Sequence, residues 1–167
     1  MRILGIDPGS AVTGWGVIEN DGRKTRHIAH GCVRTKSGAP LADRLGAIFL
    51  ELQKVIDQHG PQQAAVEMVF MAKNAQSAIK LGHARGAAIT AIVSRNMPVY
   101  EYSALQVKKS VVGYGRAEKH QVGEMIRMIL TLPKAPAQDA ADALGVALCH
   151  FHTASSPDFK LRLRGAA

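Results

Sequence analysis

A chain of 167 residues, 47% hydrophobic and 20% charged, is long enough to bury a core without disulfides or a structural metal, and it fits one α/β domain. Its 21 Lys and Arg outnumber 13 Asp and Glu, and the net charge of +8 favours a polyanionic partner. The chain opens with no basic segment followed by an apolar one, and no window approaches the roughly 18 uninterrupted apolar residues of a membrane span. A soluble, unexported, cytoplasmic protein is expected. Cys32 and Cys149, in apolar surroundings and without Cys-x-x-Cys spacing, fit reduced thiols in a cytoplasm.

The first elements form a hairpin. Arg2 to Asp7 is an apolar strand ending in an acid, Pro8-Gly9 is a turn, and Thr13 to Ile18 is a second run punctuated by Gly14 and Gly16. Pro8 disfavours the α region for Asp7 and so keeps it in extended geometry. Alternation puts Asp7 on the side of Ile3 and Gly5, away from Leu4 and Ile6, and the two glycines leave room for a close approach. Residues 23–34 supply a third strand and complete an antiparallel meander. Leu41, Leu45, Ile48, Leu52, Val55 and Ile56 have the spacing of an amphipathic helix over 41–58, stopped by Gly60-Pro61. Residues 63–68 follow as a short strand. A strand, helix, strand order makes this strand parallel to its neighbour, which can bring Glu67 beside Asp7.

Between Met68 and Tyr100 there is no acid, while Lys73, Lys80, Arg85 and Arg95 make this stretch positive. Phe70-Met71-Ala72-Lys73-Asn74 sets an aromatic beside cationic and amide groups, a composition that can stack on a base and hold a backbone, although a lone Phe is also ordinary core. Residues 75–96 read as a helix with Ala78, Gly82, Gly86 and Thr90 every four residues, the stripe of a tight crossing with a sheet, a helix or a second subunit. Pro98 to Tyr102 is a fifth strand, and Ser103 can cap a helix to about Val111. The loop 112–116 is no P-loop, because its Gly-x-Gly lacks the Gly-Lys-Ser/Thr ending. Lys108, Lys109, Arg116, Lys119 and His120 crowd around it against Glu118 alone. After a helix over 119–130 and a Pro-broken loop, Asp139 and Asp142 share one helix face. Acids in a first turn also suit the helix dipole, but the surrounding Ala140, Ala141, Ala143 and Gly145 would let this helix lie against the sheet and carry both acids toward the strand ends.

Four acids in an apolar setting cannot stay ionised together without a counter-charge. Oxygen-only ligands favour Mg²⁺ or Mn²⁺, and His and Cys are too scattered for a zinc site. Carboxylate-held Mg²⁺ inside a basic surface is the arrangement for phosphodiester hydrolysis, with two ions about 4 Å apart and a lysine to stabilise charge on the phosphate. His150 and His152 read as structural.

Gly5-Ile6-Asp7-Pro8-Gly9, Glu67 before Phe70-Met71-Ala72-Lys73-Asn74, Val107-Lys108 with Gly115-Arg116-Ala117-Glu118-Lys119, and Asp139-Ala140-Ala141-Asp142-Ala143-Leu144 together resemble the RuvC-type Holliday-junction resolvases. The likeness spans residues 1–152 as one nuclease domain and leaves 153–167 as a basic, flexible tail. It implies a ribonuclease H-like fold, a five-stranded mixed sheet flanked by helices, and a homodimer that nicks two opposed strands of a four-way DNA junction with Mg²⁺. It also implies that Asp7, Glu67, Asp139 and Asp142 hold the metals and that Lys108 and Lys119 assist at the scissile phosphate. Phe70 would stack at the opened crossover, Lys73, Asn74 and Arg116 would contact DNA, and RuvA and RuvB would be the partners.

Two other readings stand beside it. Gly5 to Ser10 followed by Thr13-Gly14 is similar to the phosphate loop of actin-like ATPases and sugar kinases, whose second lobe 167 residues cannot accommodate. A non-catalytic nucleic-acid-binding module would use the same basic surface without cutting.

Overall fold

The protein, seen in a computed structural model, is described for residues 1–22, 24–68 and 74–155. Strands β1 (Arg2–Asp7), β2 (Val12–Asn20) and β3 (Thr25–Arg34) make the expected antiparallel meander, with Ile6 opposite Trp15 and Asp7 opposite Gly14. Helix α1 (Leu41–His59) ends on Gly60, whose φ of 57° turns the chain while its N–H caps the Ile56 carbonyl. The chain returns as β4 (Gln63–Glu67), parallel to β1 with Ile6 beside Val66. Helix α2 (Ala75–Val93) leads to β5 (Val99–Tyr102), parallel to β4 with Glu67 beside Tyr102. The sheet order is β3-β2-β1-β4-β5. Helices α3 (Ala104–Val112), α4 (Lys119–Ile129) and α5 (Gln138–Ala154) complete the described residues.

Two boundaries differ from the sequence reading. Helix α2 stops at Val93 rather than Asn96, because the chain turns there with Asn96 at a φ of 54°. Helix α5 runs to Ala154, past the boundary expected after residue 152. Arg23, Phe70, Lys73 and residues 156–167 of the expected tail lie outside the described residues.

Strand alternation divides the core as the pattern of β1 requires. Leu4 and Ile6 pack with Ile48, Leu52, Ala88 and Ile92 under α1 and α2, whereas Ile3 packs with Ile18, Ile126, Leu144 and Leu148 under α4 and α5. Helix α5 is the most deeply inserted element, with Leu144, Val146 and Leu148 inaccessible to solvent. Each such side chain contributes roughly 1.5–3 kcal/mol on burial.

Glycines set how close α5 lies. A Cβ on Gly14 would collide with the carbonyl oxygen of Asp139, and one on Gly16 would stand 2.6 Å from the Leu144 side chain. A Cβ on Gly5 would meet the Ala147 backbone nitrogen at 2.7 Å. The room expected at Gly14 and Gly16 is therefore filled by α5, the helix that bears two of the four acids.

Candidate active site

Because β1 and β4 run parallel with Ile6 beside Val66, the next residue of each strand is an acid, and Asp7 and Glu67 emerge side by side. Asp142 arrives from α5, held over β1 and β2 by the glycines beneath it. Lys119 opens α4 and reaches across to Asp142, its Nζ 3.4 Å from Oδ2, with Lys119 mostly exposed and Asp142 22% exposed. Lys108 comes from α3. These five side chains line one cavity of about 240 Å³, whose apolar wall is Ala104, Val107 and Val122.

The electrostatics follow from packing acids together out of water. Burial, followed by the charges of Glu67, Asp142 and Asp139, pushes the Asp7 carboxyl up to about 8, against the opposing pull of Lys119. Asp7 therefore holds its proton far more tightly than an ordinary carboxyl does. Burial and then the Asp142 charge raise Glu67, while Lys119, a hydrogen bond from Asp7 and Lys108 hold it down. Asp142 is raised chiefly by burial and restrained by Lys119.

The structure brings together Asp7, Glu67, Asp142, Lys108 and Lys119. Asp139, one turn before Asp142, acts on Asp7 and Asp142 through its charge but is not among the residues lining the cavity. Arg116 is exposed on the α3–α4 loop, outside the cavity. Asn74 has a structural duty that sequence reading missed: its Oδ1 accepts from the backbone N–H groups of Gln76 at 2.7 Å and Ser77 at 3.4 Å, capping α2. A polar residue before an acid-free helix was the available signal.

Among the described residues no three His, Cys, Asp or Glu side chains already converge on one ion-sized point. That is the expected geometry when acids repel one another, with Asp7 hydrogen-bonded to Glu67 and Asp142 drawn to Lys119. The donor set nevertheless fits a hard divalent cation: it is oxygen-only, anionic beyond what its lysines offset, and forced toward protonation in the absence of further positive charge. Cys32, on β3, has its thiol held up by burial and then by Asp139, which leaves it a poor ligand. Among the described residues no helix is long and apolar enough to cross a membrane.

The family model described as crossover junction endodeoxyribonuclease RuvC matches residues 3–150. The crossover junction endodeoxyribonuclease RuvC of Alkalilimnicola ehrlichii is 53% identical over 165 residues, which are 99% of this chain and 98% of that protein. Thermus thermophilus RuvC in complex with Holliday junction substrate superposes with a TM-score of 0.85 at 37% identity, covering 90% of this chain and 93% of that one. The yeast mitochondrial Holliday junction resolvase shares the ribonuclease H-like fold, with a TM-score of 0.62 at 13% identity over 88% of this chain and 76% of its own. A carboxylate and lysine cavity at the ends of β1 and β4, on a fold and a sequence matched along nearly their whole length, places this chain in the crossover junction endodeoxyribonuclease RuvC family of nucleases.

Proposed function

We propose that this protein resolves four-way DNA junctions in recombination and repair by hydrolysing one phosphodiester on each of two opposed strands, with water as the nucleophile. The observation that carries the reading is the convergence of Asp7, Glu67 and Asp142 with Lys108 and Lys119, five side chains from five separate elements, on one cavity. Thermus thermophilus RuvC, solved in complex with Holliday junction substrate, supports the choice of DNA.

Asp7, Glu67 and Asp142, with Asp139 from the preceding turn, would hold the metal, two Mg²⁺ per site with Mn²⁺ as a substitute. Bound there, divalent ions neutralise charge on the phosphate and lower the pKa of the attacking water. The remaining work falls to the chain. Asp7 would serve as one of these ligands in its ionised form. Lys119 from α4 and Lys108 from α3 offset charge that builds on the phosphate oxygens. The apolar wall of Ala104, Val107 and Val122 limits water beside the reacting group. Lys73, Asn74 and Arg116 hold the DNA backbone, and Phe70 stacks on a base at the opened crossover.

Two opposed cuts need two equivalent sites, which a two-fold homodimer supplies. The small-residue stripe on α2 supports this: Gly82, Gly86 and Thr90 are exposed, and a Cβ on either glycine would meet nothing within 4 Å. Ile79 and Val93, 59% and 50% exposed, extend the same helix surface. The cytoplasm is the compartment, and RuvA and RuvB are the partners by resemblance.

Asp7→Asn tests the reading. The variant should bind a four-way junction as tightly as the parent and cut it on the order of a thousandfold more slowly, because the amide cannot supply an anionic ligand. Gel-shift and cleavage assays on one substrate measure both. An Asp7→Asn protein that still cuts would remove the metal role.

A further inference from the structure

Asp7 ends β1, and the turn that follows it, Pro8 to Ala11, lies between two strands without belonging to either. The charges of Glu67, Asp142 and Asp139 work against the Asp7 carboxylate, so a loose turn would let it swing away from the cavity. The turn is not loose. Each of its last three carbonyl groups is claimed by a residue outside it.

The nearest tie is Thr13, fully buried on β2, whose hydroxyl donates to the Gly9 carbonyl at 2.8 Å and accepts from the Gly9 N–H at 3.3 Å. Gly9 has no room for a Cβ, which would collide with the Val12 carbonyl oxygen. Thr35, just past β3, donates its N–H to the Ala11 carbonyl at 3.0 Å. It shares its hydroxyl proton between the carbonyls of Ser10 at 2.8 Å and Ala11 at 3.3 Å. Arg44, near the start of α1, completes the arrangement: Nε donates to Thr35 Oγ1 at 3.0 Å, and Nη2 donates to the same Ser10 carbonyl. Arg44 is partly buried and does not line the acid cavity. Its planar fork holds a carbonyl and a hydroxyl at once through charge-assisted bonds, which a lysine's single ammonium matches poorly. One side chain thus joins α1, the end of β3 and the turn behind Asp7.

We infer that Arg44 is a positioning residue for the cut: through Thr35 and the Ser10 carbonyl it fixes the turn, and the turn fixes the direction of the Asp7 carboxylate toward the cavity. The inference rests on the junction-cutting reading above. It separates two duties of positive charge, with Lys108 and Lys119 acting inside the cavity and Arg44 acting on the backbone behind it.

The test compares the parent with Arg44→Gln, Arg44→Lys and Thr35→Val, the last of which keeps the branched shape and removes the hydroxyl. Three quantities are measured on folded protein: Mn²⁺ affinity without DNA, from the electron paramagnetic resonance of the free ion; junction affinity in EDTA, by gel shift; and the single-turnover cutting rate in saturating Mg²⁺. Arg44→Gln and Thr35→Val should each weaken Mn²⁺ binding and slow cutting about tenfold, with junction affinity within about twofold of the parent. Their combination should lose no more than either alone, because both act on the Ser10 carbonyl, and Arg44→Lys should recover part of the loss. A merely structural Arg44 would lower the melting temperature and leave the metal affinity and cutting rate of the folded protein at parent values. A DNA-contacting Arg44 would weaken junction binding and leave Mn²⁺ affinity intact, and either result would overturn the inference. The Mn²⁺ titration needs no DNA, so it decides the role of Arg44 even if the parent leaves the junction uncut, the separate result that would sink the functional reading.

Discussion

At the scale of single residues, the site is governed by the cost of placing acids together. Asp7, at a strand end expected from its Pro-Gly turn, is pushed up to about 8 by burial and by three neighbouring carboxylates, so its anionic form is the costly one in this site. Its position beside Glu67 was legible because strand, helix, strand connectivity dictates a parallel neighbour, and the register then makes both acids the next residue. Asn74 was legible as polar but not as a cap, since the same side chain serves either purpose and only backbone geometry decides. His150, read as structural, is fully buried, with Nδ1 paired to the Tyr102 hydroxyl at 2.8 Å and Nε2 to Gln63 Oε1 at 2.8 Å. Burial lowers its pKa to about 4 from an ordinary 6.5. Its neutral form is the one the fold holds, so its contribution is complete above about pH 6.5 and is lost as the pH falls toward 4, on the order of 3 kcal/mol over that window. His150→Gln should lower stability at pH 7 by about 1–2 kcal/mol and flatten the loss between pH 6.5 and 4. Urea unfolding at several pH values measures both, and a variant as acid-sensitive as the parent would assign that sensitivity to other groups.

At the scale of elements, α5 on its glycine floor decides the geometry. The run of small residues around Asp139 and Asp142 and the glycines of β2 announced a close approach, and the structure joins the two: Gly14 lies against the Asp139 backbone and Gly16 against Leu144. Gly14→Ala should lift the start of α5, destabilise the fold by about 1–3 kcal/mol through overpacking, and slow cleavage by on the order of a hundredfold, since a shift of about 1 Å in a reacting group has that effect. Circular dichroism melts and single-turnover rates test it. A destabilised variant with the parent rate would show that the acids do not depend on this contact. Other relations had no local signal. Lys119 meets Asp142 across 23 residues of sequence, and Met68 and Leu105, just past a strand end and at a helix start, line one recess with no shared periodicity. Likewise the irregular register near Ile18 in β2 allows His27 and His30, three apart on a strand, to face each other at 2.7 Å. A bulge of this kind cannot be read from alternation.

At the scale of the whole molecule, the net charge of +8 favours a polyanionic partner, and Lys108 and Lys119 carry positive charge into the cavity that holds Asp7, Glu67 and Asp142. Composition indicated the partner's charge, while the order of the strands and the cavity required the fold. In the dimer proposed above, the outward stripe of α2 is the surface offered to the second copy. Gly86→Leu should stabilise the isolated helix by up to about 1 kcal/mol, because Gly is a poor helix former, yet raise the dimer dissociation constant at least about tenfold. Sedimentation at several concentrations reads the association directly, and an unchanged dimer would move the interface elsewhere. The most direct measurement of the central claim uses a synthetic four-way junction and a linear duplex of matching sequence, incubated with the parent or Asp7→Asn in Mg²⁺ or in EDTA. Paired, ligatable nicks confined to the junction, made by the parent in Mg²⁺ alone, are the predicted result. Junction binding by the parent without cleavage in Mg²⁺ or Mn²⁺, or equal cutting of both DNAs, would contradict it.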